Sequence, residues 1–177
     1  MLAEGGLCLA LALALSYLKI PVAALGGSVD FVMVPLIVFA CRWGFGWGLL
    51  AGFAFGTLKF FLAGGVAVNW QSMLLDYSVA YAFVGFAGLI RKGKWSLPFA
   101  ALLGCVMRFV IHFISGITIY AECMEDIFGL PMTNVWVYSA LYNGSYMLPN
   151  TIIAVIACIL LEATLAKYVH GDDLKKA

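Results

Sequence analysis

Charge is scarce in this chain. Of its 177 residues, 10 are Lys or Arg and 9 are Asp or Glu, so 11% are charged, against about 25% in a soluble domain. So few ions cannot build a shell that faces water. With 64% hydrophobic residues and a mean hydropathy of +1.03, the chain belongs in a lipid bilayer. A net charge of +1 offers no basic stripe for nucleic acid. The 5 cysteines show no CxxC spacing and, apart from Cys123, lie in or beside apolar runs. They read as small packing residues, not as a disulfide framework or a metal site. No GxxxxGK[ST], GxSxG, HExxH or paired-acid motif is present, so neither an ATPase nor a familiar hydrolase is indicated.

Long apolar runs fill the remainder. At about 20 residues per spanning helix, the length accommodates six spans, single-domain and all-α, with no separate extramembrane domain. Turn and charge signals place them roughly at 3–20, 29–41, 46–63, 70–90, 98–120 and 135–166, with Pro149 as the expected kink in the last. Leu7–Leu15 could serve as the core of a secretion signal, but no positive residue precedes it and no small-residue cleavage site follows. It is read as the first span.

The division sorts the charges. Arg42, Arg91, Lys92, Lys94, Lys167, Lys175 and Lys176 fall on one side; Lys19, Lys59 and an acidic loop with Glu122, Glu125 and Asp126 fall on the other. By the positive-inside rule both termini are cytoplasmic. Span three carries a Gly48-xxx-Gly52-xxx-Gly56 ladder and span one an Ala10-xxx-Ala14 stripe. Small residues at this spacing let helices approach closely, either within the bundle or against another membrane protein.

Ionisable groups within the membrane are expensive and mark function by default. Asp30 stands at the outer start of span two. At 1.5 Å per residue, Asp76 lies about 9 Å and His112 about 12 Å below the outer surface. Tyr138, Tyr142 and Asn143 occupy the first turns of span six. Arg108 is deeper, one turn from His112 on the same face, with Asp76 its expected partner and a structural role favoured. Tyr77, Tyr81, Tyr120 and Tyr146 border this layer, while Trp70 and Trp136 read as interfacial anchors. Two carboxylates, an imidazole, a carboxamide and several phenols suit a small, flat, nitrogen-rich cation. A proton or ion path would need ionisable groups in the inner half, where only Glu162 stands. An intramembrane enzyme using Asp76 and His112, or a polar cluster that merely locks helices, are the competing readings.

Arg108-Phe-Val-Ile-His112-Phe-Ile-Ser-Gly116, Tyr138-Ser-Ala-Leu-Tyr142-Asn143-Gly, Tyr146 and Pro149, with Met33-Val-Pro35-Leu to Arg42-Trp-Gly and Leu75-Asp76-Tyr77, resemble the thiamine-specific S components of energy-coupling-factor transporters. The resemblance covers essentially the whole chain. It implies a multi-pass plasma-membrane subunit of a prokaryote, without its own ATPase or cofactor. Such a subunit binds thiamine in an outward-facing pocket and is served by a transmembrane coupling subunit and its two ATPases. It implies substrate contacts for Asp30, Asp76, Tyr77, His112, Gly116, Tyr120, Tyr138 and Asn143, with Asp30 and Tyr120 toward the thiazolium and Arg108, Tyr142 and Tyr146 in support. Ala10 and Ala14 would then contact the coupling subunit. Asp30 and Asp76 stand where the family commonly has glutamates and Tyr120 where it often has tryptophan. Gly26 and Val66 replace aromatic contacts of some members, and the loop from Glu122 to Pro131 is long and acidic. The shorter acids and fewer rings leave room for a pyrimidine precursor of thiamine as the alternative ligand.

Overall fold

The computed structural model describes residues 1–22, 27–122, 124, 126–127, 129 and 131–173. Gly26, Cys123, Glu125, Lys175 and Lys176 lie outside the described residues. We label the helices α1 (Leu2–Leu15), α2 (Met33–Trp43), α3 (Phe45–Leu62), α4 (Trp70–Leu89), α5 (Ser96–Thr118) and α6 (Val135–Val169). The last four are long and apolar enough to cross a membrane; α1 and α2 are shorter apolar helices.

The first two elements are shorter than expected because the chain between them pairs with itself. Ile20–Pro21 (β1) and Ser28–Val29 (β2) form a small antiparallel ribbon, with Ile20 opposite Val29 and Pro21 opposite Ser28. Pro21 cannot donate a helical hydrogen bond, which favours extended backbone here. Asn150 of α6 pins the ribbon: its Nδ2 donates to the Ser28 carbonyl at 2.8 Å, and its Oδ1 accepts the Asp30 N–H at 2.9 Å.

Helix α5 shows how the sequence sorts lipid from interior. Leu102, Val106, Val110 and Ile114 are exposed along one face, while Ala101, Cys105, Arg108, His112 and Ser115 are buried on the other. The period is helical, and the polar residues point inward because lipid offers them no hydrogen bonds. The glycine ladder faces inward too. A Cβ at Gly52 would strike the Tyr81 carbonyl and one at Gly56 the Tyr77 carbonyl; one at Gly48 would lie 2.6 Å from the Ala40 Cβ. The ladder therefore brings α3 against α4 and α2, and the packing reading holds for it.

Two helices depart from regular α geometry. In α4, Leu74–Val79 forms a π-helical turn, in which the Ala80 N–H reaches the Leu75 carbonyl five residues back. In α6, the backbone departs from helical angles at Leu165 (φ −128°, ψ 20°), and Pro149 stands inside the helix. The break thus falls near the inner end, not at the proline.

At one end of the bundle Arg42 joins both termini. It bonds Glu4 of α1 at 2.6 and 3.0 Å and Asp173 at 2.7 and 2.8 Å. It also donates to the Tyr168 carbonyl. Arg91 donates to the carbonyls of Cys41 and Arg42, and His170 Nε2 lies 2.8 Å from Glu162. Residues assigned to the cytoplasmic side by charge thus meet at one end, away from the C-terminus of α3 and the N-terminus of α6.

Candidate functional site

A cavity of about 240 Å³ opens at the other end. The end of α3, the π-helical turn of α4, the last turns of α5 and the first turns of α6 frame it, with Lys19, Pro21, Ser28 and Gly64–Val66 at its mouth.

Its most organised feature joins α4 to α5. Asp76 Oδ1 lies 3.0 Å from His112 Nδ1, and Asp76 Oδ2 accepts the Ser115 hydroxyl at 2.9 Å. A carboxylate accepts, so Nδ1 carries the proton. His112 Nε2 then lines the cavity, buried and without a hydrogen-bond partner among the described residues. The π-helical turn is what aims Asp76: an extra residue in the turn rotates the side chains that follow, a distortion often found at functional sites.

Aromatic rings build the walls. Tyr138 and Tyr142 stack at 5.7 Å with 24° between planes, and Tyr146 meets Tyr142 edge-on at 6.1 Å. Across the cavity, Tyr77 donates its hydroxyl to the Val66 carbonyl at 3.1 Å and accepts the Val66 N–H at 2.7 Å, which ties the loop after α3 to α4. Asn143 donates to the carbonyls of His112 and Ser139 and accepts the Tyr146 hydroxyl at 2.6 Å. Its amide thus holds α6 against α5. Gly116 makes the same contact possible, because a Cβ there would strike Ser139 Oγ.

The structure therefore gathers Asp76, Tyr77, His112, Gly116, Tyr120, Tyr138 and Asn143 around one cavity, with Arg108, Tyr142 and Tyr146. Two expectations change. Asp30 does not line the cavity: it is 3% exposed, accepts the Val32 N–H at 3.3 Å and pairs with Lys59 at 2.9 Å. Nor does Arg108 pair with Asp76. It stacks over the Tyr81 ring, Cζ to centroid 4.0 Å. One turn below His112, it sits about 6 Å deeper, while Asp76 is already held by His112 and Ser115. Ala10 and Ala14 are exposed on the outer face of α1, away from the cavity.

Lys59, sorted by charge to the outer side, and Tyr81, one of the aromatics around the polar layer, also line the cavity. Lys59 is buried; its Nζ donates to Asp30 and to the Tyr81 hydroxyl at 2.6 Å. A signal existed: Lys59 stands three residues after Gly56 and seven after Gly52, on the face of the glycine ladder, and Tyr81 follows Tyr77 by one turn.

With this geometry established, known proteins resolve the chain's relationships. A family model described as "Thiamine transporter protein (Thia_YuaJ)" matches residues 2–170. The chain belongs to this thiamine transporter protein family. A relative called thiamine transporter ThiT, from Bacillus subtilis (strain 168), is 34% identical over 83% of this chain and 81% of its own length. Another of that name, from Lacticaseibacillus paracasei, is 28% identical over 96% of this chain and 90% of its own. A solved structure of ThiT from Listeria monocytogenes has the same fold, with a TM-score of 0.81 and 21% identity over 94% of this chain and 95% of that one. The family membership expected from Arg108–Gly116 and Tyr138–Asn143 is shown, and it covers the helices that frame the cavity.

Proposed function

We propose that this chain is the thiamine-binding S component of an energy-coupling-factor transporter, a multi-pass plasma-membrane subunit that captures the vitamin from outside. Membership in the thiamine transporter family supports the ligand. The observation that carries the reading at the level of residues is the Asp76–His112 pair set among tyrosines at the outer end of the bundle.

The roles follow from the geometry. The neutral His112 ring presents Nε2 as an acceptor, suited to the exocyclic amine of the aminopyrimidine. Asp76 fixes that tautomer and contributes negative charge. Tyr138 and Tyr142 present a face to stack on, and Tyr77 and Tyr120 offer π-faces to the cationic thiazolium. Asn143 and Gly116 set the α5–α6 spacing on which the pocket depends.

The chain has no phosphate-binding loop, so in this reading partner ATPases supply the energy through a transmembrane coupling subunit. The exposed Gly6, Ala10 and Ala14 face of α1 is the surface on which that subunit docks, since small residues permit close helix approach. Against the enzyme reading stands membership in the transporter family. Ser115 donates to Asp76 and not to His112, so among the described residues no Ser–His relay is assembled.

Among the described residues no tryptophan lines the cavity, so isothermal calorimetry on the purified chain is the appropriate test. Saturable 1:1 binding of thiamine, with weaker binding of the pyrimidine precursor and none of riboflavin, is expected. Preference for riboflavin, or for the precursor over thiamine, would overturn the ligand assignment.

A further inference from the structure

The base of the cavity sets two cations, Lys59 and Arg108, against one carboxylate, Asp30. Asp30 neutralises Lys59 at 2.9 Å, and Asp76 is engaged by His112 and Ser115. Arg108 pairs with neither. It is 6% exposed and lines the cavity, and its Nε and Nη1 are buried without a hydrogen-bond partner among the described residues. Its one strong contact is the Tyr81 ring at 4.0 Å, and the Lys59 ammonium lies 5.1 Å from that same ring. Two cations thus share one aromatic ring, with Asp30 the carboxylate that acts on both. A guanidinium cannot shed its charge by deprotonation, and buried N–H donors left without acceptors are costly. The arrangement also sits poorly with a cationic ligand unless a further negative charge enters.

We propose that Arg108 and Lys59 form an anion subsite at the base of the cavity, filled when the ligand binds. The occupant is either a small inorganic anion bound alongside the cationic ligand or an anionic substituent of the ligand itself. Arg108 is its principal donor, because the N–H edge of a guanidinium takes halides and oxyanions alike. Lys59 adds charge without surrendering Asp30. The binding of cation and anion is then mutually favourable, since each cancels a charge that would oppose the other.

This inference rests on the proposed thiamine pocket, and calorimetry separates the two. Thiamine is titrated into wild-type protein in gluconate, with chloride or inorganic phosphate substituted at constant ionic strength. A free co-bound anion predicts that affinity rises saturably, by ~10-fold or more, and that the same anion alone raises the melting temperature. A ligand-borne anion predicts instead that the phosphate ester of thiamine binds more tightly than thiamine in gluconate, with chloride adding nothing. Either dependence disappears in Arg108→Gln. Equal thiamine affinity in all buffers, with an ester no tighter than thiamine, overturns the subsite and leaves the thiamine pocket standing. No thiamine binding in any buffer overturns the pocket. The wild-type titrations decide the matter even if Arg108→Gln does not fold.

Discussion

His112 Nδ1 lies 3.0 Å from Asp76 Oδ1, joining the fifth helix to the π-helical turn of the fourth and leaving Nε2 on the cavity. The pair acts as a unit: the carboxylate sets the tautomer, and the tautomer sets what the cavity can bind. Asp76→Asn removes the charge and can reverse the direction of the hydrogen bond. A hydrogen bond to a charged group is worth about 1.5–3 kcal/mol, so thiamine affinity is expected to fall by ~10–100-fold. Calorimetry of the folded variant reads this directly, and unchanged affinity would remove Asp76 from the site.

The Asp30–Lys59 pair predicts a different phenotype. Both side chains are buried, and removing one partner leaves an uncompensated charge, a loss of about 3–5 kcal/mol. Asp30→Asn should therefore lower the melting temperature markedly. Asp30→Asn combined with Lys59→Met should recover much of it, since replacing both ions with neutral groups avoids the unpaired charge. Equal melting temperatures for the single and double variants would contradict the pairing.

Gly56→Ala and Gly46→Ala form a matched test of the α3–α4 contact. A Cβ at Gly56 would strike the Tyr77 carbonyl, while one at Gly46 meets nothing within 4 Å. Overpacking costs about 1–3 kcal/mol, and here it pushes on the turn that carries Asp76. Gly56→Ala should lose both stability and thiamine affinity, whereas Gly46→Ala should keep both.

The face of α1 gives a separation of functions. Ala10→Trp and Ala14→Trp enlarge exposed positions remote from the cavity. Thiamine binding by the isolated chain should be unchanged while co-purification with the proposed coupling subunit and vitamin uptake are lost. Uptake at the wild-type rate would move the docking surface elsewhere.

The Arg42 clasp carries a pH signature. Hydrogen bonds from Arg42 hold the Asp173 carboxyl below its ordinary value of 3.8. A carboxylate with a lowered folded-state pKa contributes stability that is present above the unfolded value and lost as pH falls through the folded one. The difference in melting temperature between wild type and Asp173→Asn should therefore be present at neutral pH, begin to shrink near pH 4 and vanish only below the lowered folded-state value. A difference that persists in acid would show that the clasp is not electrostatic.

Much of this was legible before the structure. Hydropathy marked all six helices because lipid requires long apolar runs. Depth along them placed Asp76, His112, Tyr138 and Asn143 in one outer layer. What hydropathy could not show was partnership. Lys59 lies near a helix end, so it sorted as an outer charge, although it bends inward to Asp30. Asp30 looked free because its partner was not seen. Arg108 looked committed to Asp76 because nearness in depth says nothing of which acid is already held. The π-helical turn left no mark in composition, since it arises where α4 packs against the glycines of α3.

The central claim, that this family member holds thiamine against the Asp76–His112 pair, is tested most directly by calorimetry of thiamine with wild-type protein and with Asp76→Asn. The account predicts a saturable 1:1 isotherm for the wild type and a ~10–100-fold weaker one for the variant. A flat wild-type titration, or equal affinity in the two proteins, would contradict it.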